Sequence, residues 1–288
     1  VNRIKKLIGY GTILGLAAGL VFASLIAYAN AKAKPLVIQS AVMDEPRAVR
    51  VFLPANYNEK GLQKYTVLYT LDGERIRNGA LAALTARIAA PDGIILVAID
   101  AQGMRVRDML LDGATQNGQA HSGQASRLLN FIEHELIPKI EAKFPTNGRR
   151  IIAGHSLAGL FTVYAMTQKP SLFDGYFAFS PTFSHADGSV GKLTKSLKDN
   201  PSLDGFLYMN LGLETEHGYR DLFMEAEAAL DNNAPANLRH KVSYYVLPHP
   251  LIMIPGYAEA LNGFFADCSS PKSRNHHSIA SVDATGRS

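Results

Sequence analysis

Hydrophobic positions along this chain fall into two kinds of run. Short, nearly unbroken apolar or β-branched stretches occur at Leu36–Val42, Ala48–Leu53, Thr66–Leu71, Ile94–Ile99, Arg150–Ala153, Tyr176–Phe179, Phe206–Leu211 and Val242–Leu247. Their length fits strands, and several lack polar alternation, as strands covered on both faces do. Between them, apolar residues recur at helical spacing. In the clearest case, Ser126 to Phe144, a stripe of Leu128, Leu129, Ile132, Leu136, Ile140 and Phe144 is backed by Glu133, Glu135, Lys139, Glu141 and Lys143. Pro138 interrupts this pattern and predicts a kink. Ala80–Ala89, Leu157–Thr167 and Leu222–Leu230 are further helix candidates. Strand–helix alternation predicts an α/β fold, with a mostly parallel central sheet flanked by helices. Short links join the first strands, so the sheet is expected to open with an antiparallel pair.

Both ends depart from this pattern. Leu7 to Ala29 carries no charge, follows the cations Arg3, Lys5 and Lys6, and ends in the small-x-small sequence Ala29-Asn30-Ala31. Residues 1–31 are therefore expected to be a Sec-type signal peptide. The alternative is an N-terminal membrane anchor, because the apolar run is long enough to span a bilayer. Either reading exports the remainder, to the periplasm or the medium, with membrane contact only through an uncleaved N-terminal segment. Residues 267–288 are rich in Ser, Asn, His and charge, and read as a disordered polar tail. That leaves residues 32–266 as one domain.

Composition then removes several functions. With 47% hydrophobic and 19% charged residues the chain is not disordered throughout. Its formal charge of +4 suggests a nucleic-acid partner only until the three leader cations are set aside. The remaining +1 holds no basic run to track phosphates, so no nucleic-acid partner is expected. The single cysteine, Cys268, rules out an internal disulfide and a Cys-cluster metal site. His276-His277 in the tail reads as solvated, and neither a metal nor an organic cofactor is implied.

The chemistry lies in Gly154-His155-Ser156-Leu157-Ala158-Gly159, between a predicted strand and a predicted helix. That context makes the motif a nucleophile elbow. Its turn tolerates only small residues two before and two after the serine, and Gly154 and Ala158 satisfy this. Ser156 is the expected nucleophile, and the Leu157 N–H at the helix start is one oxyanion donor. A second donor is expected from the backbone around Gly73 and Glu74, after the strand ending at Leu71. In this architecture the acid and then the histidine follow the serine in chain order. Glu214 or Glu216 follows the strand Phe206–Leu211, with Glu214 nearer the strand end. Of nine histidines, only His249 follows the last strand at the carboxyl edge of the sheet; His240 precedes that strand. His249 is thus the candidate general base.

Residues Tyr65 to Phe265 resemble the Putative esterase family of α/β hydrolases, which includes esterase D-like enzymes and periplasmic siderophore (enterobactin-type) esterases. The stretches that carry the resemblance are Tyr65 to Gly73, Arg105-Val-Arg-Asp108, Phe131 to Ile140, Gly154 to Phe161 and Leu172 to Pro181. It implies the α/β-hydrolase fold and an esterase acting on a small-molecule ester. It also implies Ser156 as nucleophile, an acid in the Gly212–Glu216 loop, and an oxyanion hole from Leu157 and the Asp72-Gly73 turn. One departure stands out. The family histidine lies about four residues after a proline like Pro248, where this chain has Leu251 or Ile252, so His249 comes early and is followed by Pro250. Either His249 takes over through a shifted loop, or another histidine serves, or the base is missing. In the last case the protein is a catalytically impaired binding protein on the same scaffold. Acyl transfer to an acceptor other than water would use the same residues. The segment from Pro181 to Asp204 is expected to shape the acyl pocket.

Overall fold

The structure is a computed structural model of the whole chain, and it describes residues 24, 32–73, 82–83, 85–86, 89–90, 93–116, 118–214 and 218–266. The expected leader, Ser24 aside, and the expected tail lie outside the described residues. Among the described residues, no helix is long and apolar enough to cross a membrane.

Eight strands form one sheet in the order β1 (Lys34–Ser40), β2 (Glu45–Phe52), β4 (Ile94–Ile99), β3 (Tyr65–Thr70), β7 (Thr146–His155), β8 (Gly175–Phe179), β9 (Gly205–Leu213) and β10 (Leu238–Pro248). A separate two-residue ladder pairs β5 (Thr115–Gln116) with β6 (Gln119–Ala120). β1 and β2 form the expected antiparallel pair, β2 joins β4 antiparallel, and every later pairing is parallel. This is the mostly parallel sheet of an α/β hydrolase. β3 and β4 are buried at every position, which explains why their sequences do not alternate. Tyr65, Val67 and Tyr69 enter the core on one face, and Leu68, Leu96 and Ala98 enter the core on the other.

The helices that bear on the site are α1 (Arg105–Met109), α2 (Ala125–Phe131), α3 (Ile137–Lys143), α4 (Leu157–Gln168), α5 (Ser189–Asp199), α6 (Tyr219–Asn233) and α7 (Met253–Phe265). The predicted Ser126–Phe144 helix is present with its apolar stripe buried, but the effect of Pro138 differs from a simple kink. A π-helical turn, Ile132–Leu136, separates α2 from α3, and Pro138 sits in the first turn of α3. The proline has no N–H to give the preceding turn, and a wider turn there removes the need for one. The last strand also starts earlier than its apolar run: β10 begins at Leu238 and takes in His240, whose Nε2 lies 3.0 Å from Asp231. His240 stays at the amino end of the strand, far along it from the carboxyl edge of the sheet.

A charge network underlies α1. Arg47 on β2, 1% exposed, lies 2.8 Å from both Glu45 and Asp108, and Arg107 binds the same two carboxylates. The Arg107 guanidinium, with help from Arg47, holds the Glu45 carboxyl at about 2 against burial. A carboxyl depressed on folding stabilises above its unfolded value and loses that contribution as pH falls through the folded one. Stability is therefore expected to drop as pH falls from about 4.5 to about 2, because the unfolded chain takes up the proton first. Thermal melts between pH 5 and pH 3 check this: Glu45→Gln should flatten the slope, and an unchanged slope would remove Glu45 from the account.

Candidate active site

The strand β7 delivers the chain to Ser156, and α4 leaves from it. Ser156 has φ 63° and ψ −120°, a conformation that costs a non-glycine residue about 1–3 kcal/mol. Three backbone hydrogen bonds hold it there. Its N–H donates to the Phe179 carbonyl (2.9 Å), and its own carbonyl accepts from the N–H groups of Leu160 (3.0 Å) and Thr182 (3.3 Å). The steric rule read from the sequence has a direct cause: a Cβ on Gly154 would lie 2.2 Å from the Ala158 carbonyl oxygen, and one on Gly159 would lie 2.9 Å from that of Phe179. Leu157 opens α4, and among the described residues its N–H has no protein acceptor. It is free to serve an oxyanion.

The loop after β3 is tied to the elbow. Asp72 is buried, with φ 57°. Its carboxylate accepts at both oxygens from Arg105 Nε (2.8 Å each), and Arg105 Nη2 donates to the His155 carbonyl (3.0 Å). Gly73 must be glycine for a reason of space, since a Cβ would lie 2.6 Å from Asp100 Oδ1 and 2.8 Å from the Ala98 backbone. The donor role expected of Gly73 itself does not hold: its N–H donates to the Ile99 carbonyl at 2.8 Å, continuing the sheet. Of the two donors nominated in this loop that leaves Glu74, which lies outside the described residues.

The candidate acid and base come from the strands on the other side of β7 from β3. Glu214 follows β9 directly, and His249 opens the 3₁₀ turn His249–Leu251 after β10. Pro248 and Leu213 are paired in register, which brings the two loops together. His249 Nδ1 lies 2.8 Å from Glu214 Oε2, and the Glu214 side chain is 6% exposed. Glu214 Oε1 also accepts from the Ser180 hydroxyl. Burial pushes the Glu214 carboxyl up, but its contacts with His249 and Ser180 outweigh this and hold it below the usual carboxylate range. A carboxylate at Nδ1 favours the proton there and leaves Nε2 as the basic nitrogen. The His249 ring lies against those of His155 (centroids 4.3 Å apart) and Tyr219 (5.9 Å, 83° between planes). No hydrogen bond joins Ser156 Oγ to the His249 ring among the described residues, a separation common where catalytic bonds tighten only on substrate.

Glu216, the alternative acid, lies outside the described residues, as do His217, Cys268, His276 and His277, none of which is a candidate. His134, on the α2–α3 connection, reaches only the adjacent Glu133 (3.3 Å) on the surface. Of the two positions where the family resemblance puts the base, Leu251 is exposed on the surface, whereas Ile252 is fully buried, and its Cγ2 would lie 2.6 Å from a Cβ on Gly212. The segment from Pro181 to Asp204 contains a 3₁₀ turn, Phe183–His185, and α5, and with α4 it borders a cavity of about 310 Å³ lined by Leu160, Val163, Phe183 and Leu193. Sequence reasoning missed Ser180, Tyr219 and Arg105. Ser180 and Arg105 lie inside stretches that carry the family resemblance, and that was the available signal.

A family model described as Putative esterase matches residues 40–234. A siderophore triacetylfusarinine C esterase of Aspergillus fumigatus is 31% identical over 151 residues, 48% of this chain and 52% of that protein. A siderophore enterobactin esterase of Emericella nidulans is 45% identical over 67 residues, 22% of each chain. The chain thus spans about half the length of the first of these curated relatives and about a fifth of the second. Among solved structures, an IroE-like serine hydrolase from Shewanella oneidensis superposes with a TM-score of 0.72 at 24% identity, covering 82% of this chain and 80% of that one. At that identity the likeness bears on the fold, which is the α/β-hydrolase fold.

Proposed function

The chain belongs to the Putative esterase family, and from that premise we propose that it hydrolyses carboxylic esters with Ser156 as nucleophile, His249 as general base and Glu214 as the acid that orients the base. Ser156 Oγ attacks the ester carbonyl while His249 Nε2 takes its proton. The Leu157 N–H, with an N–H from the loop after Asp72-Gly73, stabilises the oxyanion of the tetrahedral intermediate. The intermediate collapses to an acyl-enzyme as His249 returns the proton to the departing alcohol. Water, deprotonated by His249, then releases the acid and restores Ser156. The observation that supports this reading is Ser156 held at φ 63° on an elbow, next in sequence to His155, whose Nε2 lies 2.9 Å from the backbone carbonyl of His249, with His249 paired to Glu214 at 2.8 Å.

The curated relatives are siderophore esterases, which supports a siderophore-type ester as substrate. The uncharged run from Leu7 to Ala29 behind three cations supports delivery across a membrane. On this reading residues 32–266 form the esterase domain between an export segment and a polar tail.

A fluorophosphonate probe tests the chemistry, because it phosphonylates only a serine activated by a working base. One label per chain is expected, mapping to the peptide that holds Ser156. A folded protein that takes no label overturns the reading. Enterobactin offered beside p-nitrophenyl acetate tests the substrate class: faster turnover of the simple ester, with none of the trilactone, would remove the siderophore assignment and leave the esterase.

A further inference from the structure

An elbow restricts the residues two before and two after its serine, and leaves the one immediately before it free to vary. Here that residue is His155, a polar side chain only 8% exposed. Its Nε2 lies 2.9 Å from the backbone carbonyl of His249. A carbonyl only accepts, so Nε2 carries the proton and donates. Burial, reinforced by the neighbouring His249, pushes the His155 ring down to about 3, so it remains a neutral donor in the pH range where an esterase works. Arg105, bound to the His155 carbonyl, and Glu214 are the other charges that bear on the ring.

The turn that carries His249 has little to hold itself. Pro248 and Pro250 flank it and bring no N–H. The β9–β10 pairing is irregular between Tyr244 and Pro248, just before the turn. On the far side, Asn210 Nδ2 donates to the Ile252 carbonyl at 3.3 Å. On the near side the bond comes from His155, whose ring also lies against the His249 ring, centroids 4.3 Å apart and planes tilted by 46°.

We propose that His155 is a positioning residue, which anchors the Pro-His-Pro turn by its Nε2–H bond to the His249 carbonyl and fixes the base relative to the serine next in sequence. This rests on the reading of His249 as the base. It also accounts for how a histidine displaced from the family position is served: the anchor rides on the nucleophile strand itself, so base and serine share one rigid reference.

Steady-state kinetics on p-nitrophenyl acetate separate the possibilities. His155→Phe keeps a ring but loses the donor; kcat is expected to fall about tenfold to a hundredfold with KM within about twofold. His155→Gln places an amide N–H₂ at similar reach and is expected to stay within about threefold of the parent. In a His249→Ala background the His155→Phe change is expected to cost nothing further, since there is no base left to position. Parent-like kcat in His155→Phe would overturn the proposal. So would equal losses in the Phe and Gln variants, or a loss of the same size without His249, either of which marks damage to the elbow. If His249→Ala alone keeps parent activity, the reading of the base fails first, and that result is distinct from all of these. Melting curves on each variant confirm that folded protein is compared.

Discussion

Replacing Ser156 with alanine is expected to lower kcat for p-nitrophenyl acetate by about 10⁴-fold to 10⁶-fold, with KM and the melting temperature close to the parent. The size follows from the loss of the covalent route: without Oγ only water can attack, and the oxyanion donors and binding contacts alone sustain the residual rate. Stability should respond differently, because the backbone at this position is set by its surroundings. The bonds from Ser156 N–H to Phe179 and to its carbonyl from Leu160 and Thr182 are all main chain and survive the substitution, so alanine inherits the strain at φ 63°. Glycine does not. Ser156→Gly is expected to raise stability by about 1 kcal/mol, the relief of strain less the greater entropy of glycine in the unfolded chain. Urea titration and single-turnover kinetics read the two effects separately. A Ser156→Ala protein as active as the parent would remove Ser156 from the mechanism.

Much of this was legible in the sequence because the deciding constraints are local. Gly154 and Ala158 announce the elbow through contacts between residues four apart, and unbroken apolar strands such as β3 and β4 announce a sheet covered on both faces. The order serine, acid, histidine then narrows the partners to loops that follow later strands, and Glu214 and His249 do meet there. What was not legible depends on contacts across the fold. Nothing near Gly73 says that its N–H continues the ladder to Ile99, so its glycine reads as an oxyanion loop when its requirement is space against Asp100 and Ala98. Ser180 and Tyr219 matter only because β8, β9 and α6 bring them to the Glu214–His249 pair. His155 reads as a bystander until β10 sets the His249 carbonyl 2.9 Å from its ring.

His249→Ala is expected to lower kcat by about 10³-fold to 10⁴-fold, and Glu214→Gln by a comparable factor. The alanine removes the proton acceptor for Ser156. The glutamine leaves the imidazole in place but takes away the charge that favours Nδ1–H and stabilises the imidazolium. An amide N–H₂ turned toward Nδ1 would put the ring proton on Nε2, the nitrogen that must be free. The parent carboxyl is held below the usual carboxylate range by His249 and Ser180, so Glu214 is ionised wherever an ordinary carboxylate is. Any loss of rate between pH 7 and pH 5 therefore belongs to another group, and the low rate of Glu214→Gln should not be recovered by raising the pH. Serine and histidine act on one proton, so the double variant Ser156→Ala/His249→Ala is expected to be no more than about threefold slower than Ser156→Ala. Losses that multiply would mean two independent contributions and would separate His249 from the serine. Placing a histidine at Ile252, the buried one of the two positions where the family resemblance puts the base, offers the complementary check. Ile252→His in the His249→Ala background is expected to give no rescue, because that side chain is fully buried against Gly212 and an imidazole there has neither Glu214 at its Nδ1 nor His155 behind its backbone. Recovery of activity by Ile252→His would show that the loop still accommodates the family geometry, and that the shift to His249 is not what the turn requires.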